Sequence, residues 1–110
     1  MGQGLSLQEY AMIAIHDDDV RDLMYYIQKG VDIDGQRGQG LLLYAATQNS
    51  VQCAHYLISQ GVNPFKKSNG LSFYEYAVQH RDQELLQVAQ RWVPQRLHIQ
   101  RMRMRHVYGR

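Results

Sequence analysis

Acidic residues are missing from the last part of this chain. All ten Asp and Glu lie at or before Glu84, whereas Arg91, Arg96, Arg101, Arg103, Arg105 and Arg110 crowd residues 91–110. Residues 1–90 carry six Lys or Arg against the ten acids, a net charge of −4, and residues 91–110 carry +6. The overall charge of +2 thus conceals an acidic body and a basic tail, a division that points to separate work for the tail. Cysteine is nearly missing too. Cys53 is the only one, which excludes an intrachain disulfide and fits a reducing compartment. No apolar run approaches the roughly 20 residues of a membrane-spanning helix. The N-terminus has no basic segment followed by an apolar core, so no secretory signal is expected. The expected home is intracellular: the cytoplasm or an organellar assembly. With 110 residues and 45% hydrophobic content, the chain fits one domain with a modest core.

Catalytic signatures are also lacking. There is no G-x-S-x-G, H-E-x-x-H, Walker loop or paired-cysteine pattern. Cys53 and His55 sit two apart, which on a helix turns their side chains about 200° from each other. They cannot act as a local nucleophile and base, and Cys53 reads as a packing thiol. The cluster His16-Asp17-Asp18-Asp19 with Asp22 has the residues of a cation site, but no EF-hand glycine or terminal Glu follows. It reads better as a turn between helices, with Asp18 or Asp19 capping the second. Gly35, Gly38 and Gly40 form G-x-x-G-x-G, but Leu41–Leu43 follows instead of Lys-Ser/Thr, so a turn explains them better than a phosphate cradle. A non-enzymatic protein with no metal, no cofactor and no small-molecule substrate is expected.

What the chain does contain is a phrase written more than once. Aligning Ala14 with Ala45 brings Val20 to Val51, Tyr25 to Tyr56, Ile27 to Ile58, Gly30 to Gly61, Val31 to Val62 and Asp32 to Asn63, all at an offset of 31. Aligning Gly38 with Gly70 brings Leu42 to Tyr74, Ala45 to Ala77 and Ala46 to Val78, at an offset of 32. A period of about 33 residues marks stacked repeats. Within a unit, Val20, Leu23, Met24 and Ile27 are spaced as one apolar helical face, as are Val51, Ala54, Leu57 and Ile58 in the next. Gly30 and Gly61 end these helices. "VDIDGQRGQ" and "VNPFKKSNG" read as extended steps into glycine turns, each followed by a short helix carrying a small pair, Ala45-Ala46 or Ala77-Val78. "SLQE" at Ser6 and "SFYE" at Ser72 have capping-box spacing. Most of the eight tyrosines sit beside apolar positions and are expected at the core or its rim.

In these features the chain resembles the ankyrin-repeat family over about residues 6–93. The family phrase G-x-T-P-L-H-x-A-A, a second helix, then G-A-D/N is matched by "GQGLLLYAATQ" with "GVN" and by "GLSFYEYAVQH"; the first unit supplies "AIHD" and "GVD". The chain departs from it at the tetrapeptide, which is Gly40-Leu41-Leu42-Leu43 in one unit and Ser72-Phe73-Tyr74-Glu75 in the other, and at Val93, which replaces the last glycine. The resemblance implies an all-α fold of ankyrin-type stacked helix-turn-helix repeats, in units of about 6–34, 35–67 and 68–93, forming a domain over 1–93. It also implies that another protein, or a multi-subunit complex, docks on a concave face of turn tips and first helices. The family's binding positions fall on His16 and Asp17; on Gln36, Arg37, Gln39, Thr47 and Gln48; and on Ser68, Asn69, Leu71, Gln79 and His80.

Residues 94–110 form a basic extension. Its contact residues are expected to be Arg96, Arg101, Arg103, Arg105 and Arg110, set against an acidic protein, RNA or an anionic lipid. Two other readings stay open: a solvated terminus, or a fourth-unit cap formed by Leu97, Ile99 and Met104. "MGQGLS" satisfies the N-myristoylation pattern at Gly2, although Ser6 already serves as a helix cap and one acyl chain needs a second membrane signal.

Overall fold

Two serines start helices where their spacing predicts. In the computed structural model, which describes residues 4–92, the Ser6 hydroxyl accepts the Glu9 N–H at 3.1 Å and the Glu9 carboxylate accepts the Ser6 N–H at 2.9 Å. Ser72 and Glu75 repeat the pair, with both bonds at 3.0 Å. These boxes satisfy donors that a helix start leaves unpaired. They open α1 (Leu7–His16) and α5 (Phe73–Gln79). Asp19 and Asp82 cap α2 (Val20–Gln28) and α6 (Gln83–Gln90) by accepting N–H groups three residues on. Between these lie α3 (Gly35–Thr47), α4 (Val51–Ser59) and a two-stranded antiparallel hairpin, β1 (Lys67–Ser68) with β2 (Leu71–Ser72), in register Lys67 to Ser72 and Ser68 to Leu71. The described residues are therefore mostly helical.

The repeat in the sequence is a repeat in the backbone. Each first helix ends on a left-handed residue: Asp18, Asn49 and Arg81, at offsets of 31 and 32. The next N–H donates back five residues each time: Asp19 to the Ala14 carbonyl, Ser50 to Ala45 and Asp82 to Ala77. The second helices of the first two units end alike, with Gly30 at φ +122° and Gly61 at φ +103°. There Val31 donates to Tyr26 and Val62 to Leu57, so each ending is a Schellman closure. An Asx turn follows at the same offset: Asp32 accepts from Asp34, and Asn63 from Phe65.

The helices pair as α1 with α2, α3 with α4 and α5 with α6; α3 packs against both α1 and α5, and α4 against both α2 and α6. The core between them is built from Ile15, Leu23, Leu42, Leu57, Phe73 and Leu85, with buried alanines at 11, 14, 45, 46, 54, 77 and 89. The small residues let backbones approach, so Ala45 and Ala77 lie fully buried at the same place in two units.

Three expectations need correction. Met24 is exposed, and Tyr26 takes its place beside Leu23 and Ile27. Val78 is exposed, although its equivalents Ile15 and Ala46 are buried; among the described residues a helix pair follows each of the first two units and none follows α5 and α6. The glycines at 35, 38 and 40 do not make a turn but lie in the first part of a 13-residue α3.

Candidate interaction surface

The first helices present equivalent positions in a row. His16 and Asp17 at the end of α1 correspond to Thr47 and Gln48 at the end of α3, and to Gln79 and His80 at the end of α5. Five of the six are exposed and Gln48 is half-buried. Their internal contacts are local. His16 Nδ1 lies 3.1 Å from an Asp17 carboxylate oxygen, Thr47 donates to the Tyr44 carbonyl at 2.8 Å, and the His80 ring stacks on Tyr76 at 4.0 Å. One helical turn earlier in each unit stand Ile13, Tyr44 and Tyr76, on the same face by i, i+3 and i+4 spacing. Ile13 is exposed and the two tyrosines are half-buried. This apolar row beside the polar one was not picked out from the sequence. Its signal is there: bulky side chains at one repeat position in all three units.

At the other end of the first helices, the expected residues divide. Gln36, Arg37 and Asn69 are exposed and Leu71 is half-buried. Gln39 and Ser68 are buried, which removes them from a surface list. Gln39 works inside its own unit instead, between α3 and the loop that follows α4. Its side-chain nitrogen, oriented by the carbonyls it faces, donates to Asn63 at 2.7 Å and to Lys66 at 3.1 Å. Gln36 adds a bond to the Lys67 carbonyl at 3.3 Å. These amides satisfy loop carbonyls that would otherwise lose their water on burial. Gly2, Arg96, Arg101, Arg103, Arg105 and Arg110 lie outside the described residues.

Two aspartates of the cluster are spent on helix ends. Asp19 caps α2, and Asp18 reaches across to accept the Cys53 N–H at 2.9 Å, capping α4 from the neighbouring unit. The hydroxyl of Ser50, the residue before α4, instead donates to the Ile15 carbonyl at the end of α1. The two units thus exchange capping groups. Among the described residues no three His, Cys, Asp or Glu side chains converge as metal ligands would. Burial, followed by the charge of Asp18, pushes the Cys53 thiol up to about 12. That leaves almost no thiolate at neutral pH, and His55 is exposed whereas Cys53 is buried.

On the opposite side, α4 and α6 border a groove of about 540 Å³ whose lining includes Gln52, His55, Tyr56, Glu84, Val88 and Arg91. Among the described residues no helix is long and apolar enough to cross a membrane. Compared with protein-family models, curated proteins and solved structures, the chain matches none.

Proposed function

We propose that this chain is a non-enzymatic, intracellular module of the ankyrin-repeat type, or a small subunit of a larger assembly, that binds another protein across its first helices. The single observation that carries the reading is the row His16-Asp17, Thr47-Gln48 and Gln79-His80, held at equivalent positions by helix ends with the same hydrogen bonds. Support for the ankyrin type comes from the 31- and 32-residue offsets, the alternation of first and second helices, and the hairpin before α5. The row is rich in amides and imidazoles, and it borders Ile13, Tyr44 and Tyr76. Such a surface favours hydrogen-bonded recognition with apolar anchors over long-range steering. In this reading the basic extension gives a second contact, on an acidic surface.

Affinity capture with the full chain, beside a Tyr44→Ser/Gln48→Arg variant and a variant with Arg101, Arg103 and Arg105 changed to Gln, tests the reading. The first variant is expected to lose the captured protein, and the second to retain it more weakly. Capture unaffected by Tyr44→Ser/Gln48→Arg would overturn the assignment of this face.

A second reading has its own observation, the six arginines of residues 91–110 without an acid. It makes the chain an RNA- or anionic-lipid-contacting subunit. Neutralising about six phosphates would give a slope of log affinity against log salt of about −4 to −5. A flat response removes this reading.

A further inference from the structure

Tyr10 and Tyr26 occupy positions that are buried in the other units. Tyr10 corresponds to Leu41 and Phe73, each 2% exposed, yet is itself 38% exposed. Tyr26 corresponds to Leu57 and Ala89, both fully buried, and remains half-buried. The two rings stack at 5.5 Å, and Tyr25 sets its edge on Tyr26 at 5.3 Å. Asp22 stands exposed where Cys53 and Leu85 are buried. The first unit thus ends in an aromatic platform with a carboxylate at its rim, in the place where the other units have a neighbour. Charge follows the same division: residues 6–34 hold seven acids against Arg21 and Lys29.

The chain leaves α6 at the other end of the row of helix pairs. There Val78 is exposed at the position where Ile15 and Ala46 are covered. Beyond it, residues 93–110 contain five arginines and no acid, with Met102 and Met104 alternating with Arg101, Arg103 and Arg105.

We propose that the Tyr10–Tyr25–Tyr26 platform receives the Arg/Met segment 101–105 of a second copy of this chain, so that copies associate head to tail. The chemistry is complementary on each count. Guanidinium groups stack on tyrosine faces, thioethers pack at ring edges, and Asp22 offers a carboxylate to arginine. A second copy fits better than the chain's own segment. End-to-end apposition covers the Tyr10 end of one copy and the Val78 end of the next together, whereas folding back leaves the Val78 end open. The interface is heterologous, so it extends beyond a dimer unless the rotation closes a ring. This inference rests on the use of the basic extension proposed above and names its receptor; the first-helix surface does not depend on it.

Sedimentation of the full chain from micromolar to millimolar concentration tests it. Average mass is expected to rise with concentration at low salt, and the rise to be suppressed by high salt. Asp22→Arg, or Arg101→Glu/Arg103→Glu/Arg105→Glu, is expected to weaken association by about tenfold or more. The Asp22 side chain makes no cap, so that variant is expected to stay folded, its melt lowered only slightly by a reversed charge in the first turn of α2. Mixed, the two variants retain one intact platform and one intact segment and should associate where each alone does not. A monomer at every concentration overturns the proposal, as does association that both variants leave unchanged or a mixture that does not associate. Either failure, with partner capture still sensitive to Tyr44→Ser/Gln48→Arg, leaves the first-helix surface standing.

Discussion

Residues 35–40 and 67–72 hold the same place in successive units, yet one is helix and the other hairpin. The hairpin needs two left-handed residues in a row, and Asn69 at φ +54° and Gly70 at φ +86° supply them. Ser72 then starts α5 with its capping box. The earlier segment has Gly40 where Ser72 stands, so no side chain can cap a helix there. Gln36, Arg37 and Gln39 tolerate helix well, and α3 runs back to Gly35. The difference teaches that the presence or absence of one capping side chain decides how a unit begins. It also decides what is displayed. A helical start turns Gln39 inward to bind the loop at 63–66, whereas the hairpin start holds Asn69 out at its tip.

The sharpest way to break this comparison is Gly38→Ala. A Cβ there would lie 1.8 Å from the Ile33 carbonyl oxygen and 3.2 Å from Val62 Cγ2, and backbone cannot yield as a flexible side chain can. A loss of about 2–3 kcal/mol in chemical denaturation is expected; a neutral result would mean that α3 does not begin as described. Gly70→Ala is expected to cost about 1–2 kcal/mol, because it forces an L-residue into a left-handed turn with open space around it. Gly40→Ala should move stability the other way. Its Cβ meets only Ser68 Oγ at 3.9 Å, so the gain in helix propensity should raise stability by about 0.5–1 kcal/mol. Destabilisation at Gly40 would instead place that residue in a turn, as the sequence alone suggested.

The smallest effect concerns pH. Accepting the Ser72 N–H chiefly holds the Glu75 carboxyl below its ordinary value. Desolvation opposes this, and Lys67, 3.4 Å away, reinforces it. A depressed folded-state value means that the stabilisation is whole above the ordinary carboxyl range and is lost as pH falls through the folded value. Glu75→Gln keeps the cap acceptor without the titration, so melting temperature should fall less steeply in acid than in the parent. No equivalent carboxylate exists inside α3, where Leu43 stands at the position of Glu75. An identical acid limb in parent and variant would show that the cap carries no pH dependence.

Much of the helical framework was legible because its signals are local. The capping boxes at Ser6 and Ser72, the stops at Gly30 and Gly61, and the Ala45 and Ala77 contacts follow from short-range geometry and small size. What escaped depends on neighbours. Nothing local told that α3 would extend through three glycines, or that Gln39 and Ser68, where the ankyrin resemblance implied a surface, would be buried. Asp18 was legible as a cap, but not as the cap of a helix 35 residues on. Met24 and Val78 looked apolar enough for the core, yet their burial depended on which helix stands opposite. The Ile13, Tyr44 and Tyr76 row escaped because bulky apolar or aromatic side chains on a helix read equally as core or rim until the opposing helix is known.

The most direct measurement is amide chemical-shift mapping of the full chain as the captured protein is added. The account predicts that the largest changes fall in three separated stretches, around residues 13–17, 44–48 and 76–80, saturating together at one affinity. Changes concentrated on Gln52–Ser59 and Glu84–Arg91, with those three stretches unmoved, would place the partner in the groove between α4 and α6 and contradict it.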